Sequence, residues 1–402
     1  MKRLFFLSAL LCLSLSVPKA DALPAASDTS AGDGINAFAC NLYARLQKHK
    51  GNLFFSPLGI SYALAAAGVG ARGESAAQME KALHASGEQE RQALAALMQR
   101  LNAAQHGEQL RITIANSLWP HKDYPLRPEY MEAVRNYYDA AVIPLDYAGD
   151  AAAAAARINA WIGEKTRGRI RDMVGAPPGD TRLLLVNAVY FDARWMSPFE
   201  SHATRKRVFY APDKAIEAPF MSREGVYGYR QIQDLQILEL PYYGEKCSLV
   251  VLLPAAKPGA LEELEKHLSA QRLAQWTEAL PRQEVQVFLP KFKLSWGPAS
   301  LNEALGALGI REAFSPESAD FSGMSPEAGL YIGNVLHKAN VEVDEAGTVA
   351  AAASASDFAP GSAGPRTMPV FLADRPFMFF IRDKVEGAIL FMGRLTDPIT
   401  ND

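Results

Sequence analysis

The stretch DEAGTVAAAASASDFAPGSAGPRT, residues 344–367, begins with two acids and then carries neither charge nor bulk as far as Ser356. It lies between two strand-like runs, and more than twenty residues without an element of their own are unusual inside a compact domain; such loops tend to be functional or disordered. Extended, the segment would put Thr348, Ala350, Ala352, Ser354 and Ser356 on one face and Val349, Ala351, Ala353 and Ala355 on the other. Both faces are small. A strand that slides into the middle of an existing sheet needs such residues, because each large or charged side chain would have to be squeezed in or stripped of water. No proline precedes Pro360, so every amide from Ala346 to Ala359 is free to join a ladder. The other reading is a low-complexity surface loop, and composition alone does not separate the two, since alanine is abundant throughout the chain.

Around this stretch the chain reads as globular. It has 402 residues, 49% hydrophobic and 21% charged, enough to bury a large core. Pro, Gly and Ser are scattered rather than pooled into a linker, which favours a single domain over residues 23–402. The first residues differ: Lys2 and Arg3 precede the apolar run LFFLSALLCLSLSV, and Ala20-Asp21-Ala22 follows as a small-x-small cleavage site. Residues 1–22 are therefore read as an export signal cut near Ala22, leaving a secreted protein, extracellular or periplasmic. Leu11 before Cys12 counts against a lipoprotein. No later run approaches 18 apolar residues, so no membrane span is expected. The signal carries three cations and one acid, so its removal moves the net charge from −3 to −5. Such mild acidity argues against a nucleic-acid or anionic-membrane partner. Cys40 and Cys247 remain, and their separation in sequence leaves a bridge and two free thiols equally open.

Helical spacing marks residues 31–50, with Ile35, Phe38, Ala39, Leu42 and Leu46 on one side. A short apolar strand reaches Ser56-Pro57, and a helix starts on that pair, where proline suits the first turn. Further helices fit residues 94–101 and the alanine tract at 151–156, which leads to Ile158, Trp161 and Ile162. Beyond Thr181 the texture turns to strands: RLLLVNAVYF, LQILELPYYGEKCSLVVLLP, VQVFLPKFKL and the hairpin PFMFFIRDKVEGAILFMGRL with its turn near Lys384 to Gly387. Helices first and strands later predict an α+β fold with largely antiparallel sheets.

No catalytic machinery can be assembled from local spacing. Gly68 to Gly73 spells G-x-G-x-x-G, but an Ala-rich helix precedes it where a dinucleotide fingerprint needs a strand, so a helix end and turn is the reading. G-x-S-x-G, H-E-x-x-H and C-x-x-C are absent, and the seven histidines are scattered. No enzyme, cofactor or metal is implied.

The motifs NLFFSPLGISYALA, GARGES, INAWIGEKTRGRI, LLLVNAVYFDARW, LPYYGEKCSLVVLLP, LPKFKL, ADFSGM, VLHKANVEVDEAGTVAAAA, ADRPFMFFIRD and ILFMGRL follow one another between about residues 34 and 398. In content and order they resemble the serpin family. The resemblance implies three β-sheets, about nine helices, an exposed reactive-centre loop at about 345–370 and a metastable monomer. It further implies a suicide inhibitor of serine, possibly cysteine, endopeptidases. The target attacks the loop, forms an acyl-enzyme, and is carried along and distorted as the cut loop inserts into the central sheet. The family's hinge maps onto Glu345, Gly347, Thr348 and Ala350, Ala351, Ala352 and Ala353. Its acid–lysine pair and neighbouring tryptophan at the head of the sheet, the breach, map onto Glu345, Lys291 and Trp195. The hydrogen-bonded cluster where the strands part, the shutter, maps onto Ser56, Asn187 and His337.

Some positions depart from the family pattern. Gly59 stands where a hydroxyl often joins the cluster, and Ala346 and Val349 where polar residues are common. The loop is also long. Seventeen residues counted from Glu345 reach Gly361-Ser362, whereas counting back from Pro376-Phe377 reaches Arg366. Arg366-Thr367 is the preferred reactive bond, because arginine can pair with a buried carboxylate in a trypsin-like pocket. Phe358-Ala359 and Gly361-Ser362 stand as rivals for chymotrypsin-like or elastase-like targets. The alternative function is a non-inhibitory binding or carrier serpin whose loop is only a substrate; the uncharged hinge speaks for inhibition, since a buried charge would block insertion.

Overall fold

A computed structural model describes residues 31–85, 87–103, 109–348 and 368–399. Residues 1–22, read from the sequence as an export signal, Ala350 to Ala353 and all three candidate reactive bonds lie outside the described residues.

Nine α-helices and two hydrogen-bonded sheets form among the described residues. The central sheet is built from β1 (Leu110–Pro120), β2 (Ala141–Val142), β3 (Leu183–Arg194), β4 (Phe292–Ser300), β5 (Ile332–Val343) and the two-residue β6 (Gly347–Thr348). Its order is β4-β5-β3-β1-β2, with β6 added on β3. The pair at its heart, β5 and β3, is parallel, while β1–β3 and β4–β5 are antiparallel.

Both faces of this sheet are covered, which explains why LLLVNAVYF reads as an unbroken apolar run rather than an alternation. Leu184, Val186, Ala188 and Tyr190 pack beneath the helix Ala151–Lys165, against Ile158 and Ile162. Leu183, Leu185, Val189, Phe191 and Ala193 point into the main core shared with the second sheet.

The resemblance implies three sheets, and here two of them run together. The 18-residue strand Ala215–Ile232 carries Arg205–Tyr210 along its start, Arg282–Pro290 along its middle and Leu235–Pro241 on its last five residues. One long strand thus belongs to both regions and joins them in a nine-stranded ladder. The hairpin Phe377–Asp383 with Ile389–Leu395 sits where the sequence puts it, and Gly387, at φ +70°, is in the left-handed turn conformation. Gly68 ends the helix Pro57–Gly68 and the next helix starts at Gly73, so the G-x-G-x-x-G is a helix–turn–helix junction. Cys40 and Cys247 are free and buried, and burial pushes both thiols up to about 12. They are unreactive core groups.

Candidate functional site: a forked strand pair and its two clusters

The β3–β5 ladder runs from Leu183–Ile332 to Tyr190–Asn340 and then opens. In the opening lies β6. Gly347 pairs with Arg194 and Thr348 with Ala193, antiparallel, so the root of the loop already stands as the first two residues of an additional strand. Gly347 has φ +154°, and a Cβ there would come 2.1 Å from the Ala193 carbonyl oxygen. No side chain fits this approach of backbone to backbone, which is why the hinge has glycine here.

The segment between β5 and β6 is fixed from several directions. Asp344 folds its carboxylate back to accept the amides of Ala346 at 2.9 Å and Gly347 at 3.1 Å, an Asx turn. Burial lifts the Asp344 carboxyl above its ordinary range, against those two amides. Trp195 receives the turn: its indole N–H donates to the Asp344 carbonyl at 2.9 Å and its amide to the Ala346 carbonyl at 3.0 Å. Glu345 accepts from Lys291 Nζ at 2.6 Å and from the Thr204 hydroxyl at 2.7 Å. Burial works against the Glu345 charge, but these two donors outweigh it and hold the carboxyl below the ordinary range. The three breach residues read from the sequence are therefore brought together. Thr204, Asp344 and Tyr242 complete the cluster; no local signal marks Thr204, while Asp344 and Tyr242 lie within quoted motifs.

Lower down, Ser56, Asn187 and His337 also meet. His337 is fully buried between the sheets. Its Nε2 accepts from the Ser56 amide at 3.1 Å, so its Nδ1 carries the proton and donates to Asn187 Oδ1 at 2.6 Å. Burial pushes the imidazole down to about 3, against the bond to Asn187, and the ring stays neutral. The Ser56 hydroxyl donates to the Leu390 carbonyl at 2.7 Å and accepts the Gly59 amide at 3.0 Å, capping the helix that begins at Pro57. A fourth member is Asn116 on β1, whose Oδ1 accepts from Asn187 Nδ2. The network thus spans β1, β3, β5 and the second sheet. It also accounts for the departure at position 59: a Cβ on Gly59 would lie 2.7 Å from both Asn187 Nδ2 and Val189 Cγ2. The asparagine fills that space.

Among the described residues no group of His, Cys, Asp and Glu could hold a metal, and no helix is long and apolar enough to cross a membrane.

The model of the family described as "Serpin (serine protease inhibitor)" matches residues 33–398. An uncharacterized serpin-like protein of Thermococcus kodakarensis is 37% identical over 96% of this chain and 90% of its own length. The leukocyte elastase inhibitor of Bos taurus is 38% identical over 90% of this chain and 97% of its own. Among solved structures, human thyroxine-binding globulin complexed with thyroxine superposes with a TM-score of 0.82 at 28% identity, covering 92% of this chain and 99% of that one. Family model, relatives and fold agree: the chain belongs to the serpins, a family of inhibitors and other proteins that are not catalytic enzymes.

Proposed function

We infer that the protein is an exported suicide inhibitor of serine endopeptidases, which traps its target by inserting the cleaved loop between β3 and β5. The observation that carries this reading is the pairing of Gly347 and Thr348 with Arg194 and Ala193 at the open end of that strand pair. An inserting strand has its first residues in register and its path marked by a parallel pair whose partners must exchange each other for it.

Energetics favour completion once the loop is cut. Each further residue adds ladder hydrogen bonds worth about 1 kcal/mol net and sets a small side chain between two covered faces, while the intact loop is held back by its attachment at both ends. The hinge sequence GTVAAAA brings no charge to be desolvated. Similarity to the leukocyte elastase inhibitor supports a protease as partner.

The reactive bond has two readings. Side-chain chemistry favours Arg366-Thr367 and a trypsin-like target. Continued at the register of Thr348 on Ala193, however, the ladder sets Phe358 opposite Leu183, the first residue of β3. A cut at Phe358-Ala359 or Gly361-Ser362 ends near the foot of the sheet, whereas one at Arg366 leaves eight residues beyond it. Incubation with trypsin-, chymotrypsin- and elastase-type proteases, followed by denaturing gels and mass spectrometry, decides both questions. A denaturant-resistant complex with a fragment starting at Thr367, Ala359 or Ser362 identifies inhibitor and bond together; cleavage by every protease without complex contradicts inhibition. That second outcome would favour a carrier role of the kind the thyroxine-binding globulin complex illustrates.

A further inference from the structure

We propose that Tyr242 is the positioning residue that receives Thr348 and fixes the register in which the loop enters the central sheet. The proposal rests on the loop-insertion reading above, which assigns no role to this tyrosine.

Thr348 is fully buried, and its hydroxyl lies 2.9 Å from the Tyr242 hydroxyl. Tyr242 itself has no exposed surface. Its ring stacks on Trp195 at 4.6 Å with an interplanar angle of 7°, and meets Phe191 edge-on at 5.0 Å. Its backbone is bridged to Trp195, and its amide donates to the Cys247 carbonyl at 3.0 Å. The phenol is therefore clamped before the loop arrives, with little rotamer freedom to lose on binding. Burial holds the hydroxyl well above its ordinary range, so it keeps its proton. Either hydroxyl without the other would be a buried group lacking a partner at this point.

This pairing reads register. Thr348 is the sole hydroxyl-bearing residue between Asp344 and Ala353. A slip of one residue would bring Gly347 or Val349 to Tyr242, and a slip of two would bring Ala346 or Ala350. None of the four has a side-chain hydroxyl to offer. Because a one-residue slip also turns every following side chain to the opposite face, the first correct pair commits the whole strand. The docked pair is thus the nucleus on which the rest of the cut loop zips, and speed of zipping decides whether the protease is trapped or escapes by deacylation.

The test compares the wild type with Tyr242→Phe, Thr348→Val and the double variant. Phe keeps the ring on Trp195, and Val keeps the shape of Thr. Two quantities are read: hydrogen exchange of the Gly347 and Thr348 amides in the intact protein, and moles of inhibitor consumed per mole of trapped protease, using the protease that forms a complex with the wild type. Each single variant is expected to raise exchange roughly 5- to 30-fold and to raise consumption several-fold, with the rate of loop cleavage unchanged. The double variant, with both hydroxyls gone, recovers most of the loss of protection, because neither group is left buried without its partner, but keeps the raised consumption, because no hydroxyl pair remains to set the register. Unchanged exchange in the singles, or a double variant whose consumption returns to the wild-type value, overturns the proposal. If the wild type traps no protease while its hinge amides remain protected, the inhibitory reading has failed and the register role falls with it. That result is distinct from loss of the Tyr242–Thr348 contact, which exchange alone reports.

Discussion

Two clusters lie along the same pair of strands and are built in opposite ways. The upper one, around Trp195 and Glu345, uses an ion pair at the edge of solvent and an Asx turn to hold a fork open; Lys291 remains about a third exposed. The lower one, around His337, Asn187, Asn116 and Ser56, is fully desolvated and neutral, and holds the strands shut. Exposed ion pairs bind weakly and reversibly, whereas a buried hydrogen-bond network is costly to leave half made. On the proposed loop-insertion reading, the upper end is suited to admit a strand, and the middle to delay it until the loop is cut.

The largest test of this contrast is Thr348→Arg. A charge with no partner at a fully buried position costs several kcal/mol where insertion begins. Complex formation should vanish while loop cleavage continues, both read on denaturing gels; a variant that still traps protease would contradict the account of the fork.

Next comes Asn187→Ala, which strands His337 Nδ1 and Asn116 Oδ1 at about 1–3 kcal/mol each. It should lower the chemical-denaturation midpoint and hasten spontaneous opening, visible as slow loss of inhibitory activity or as oligomers on size-exclusion chromatography. Gly59→Ala attacks the same cluster by crowding, and about 1–3 kcal/mol of destabilisation is expected.

How much of this was legible in the sequence follows from range of interaction. Ser56-Pro57 announces a helix start because capping is local, and the hairpin at Lys384–Gly387 is visible because turn and strands are contiguous. The 18-residue strand Ala215–Ile232 was not legible: it contains Pro219 and several charges, and its support comes from three different partners. Asn116 and Tyr242 were missed for the same reason. Each sits in an ordinary strand-like context, and only the assembled sheet shows what its polar atom meets. The hinge itself was readable from side-chain size, whereas its partial entry into the sheet was not.

An effect of comparable size is expected from pH. His337 is neutral in the native protein down to about 3, while in the unfolded chain it takes up a proton below 6.5. The unfolded state therefore binds more protons between those values, and stability falls as pH drops from 6.5 toward 3, by at most about 1.4 kcal/mol per pH unit from this group. Above 6.5 the histidine contributes no slope. Denaturation midpoints at pH 7 and pH 4.5 would show this difference, reduced in His337→Gln. Glu345 adds to the trend only near its own titration: its depressed carboxyl contributes stability above the ordinary range and loses it as pH falls through the folded value.

The smallest effect belongs to Glu345→Gln. Removal of a part-exposed pair should cost about 1 kcal/mol or less. Added salt should weaken the wild type's hinge docking slightly and leave the variant's unchanged, as hydrogen exchange at Gly347 would register.

The central claim is that the sheet is poised to accept the loop and is more stable once it has done so. Its most direct test is thermal unfolding of the protein before and after a single cut between Ser356 and Thr367, followed by calorimetry with fragment masses confirmed. The account predicts that the cut protein, with both fragments retained, unfolds well above the intact one. Equal or lower unfolding temperature after the cut would show that the loop does not enter the sheet, and would contradict it.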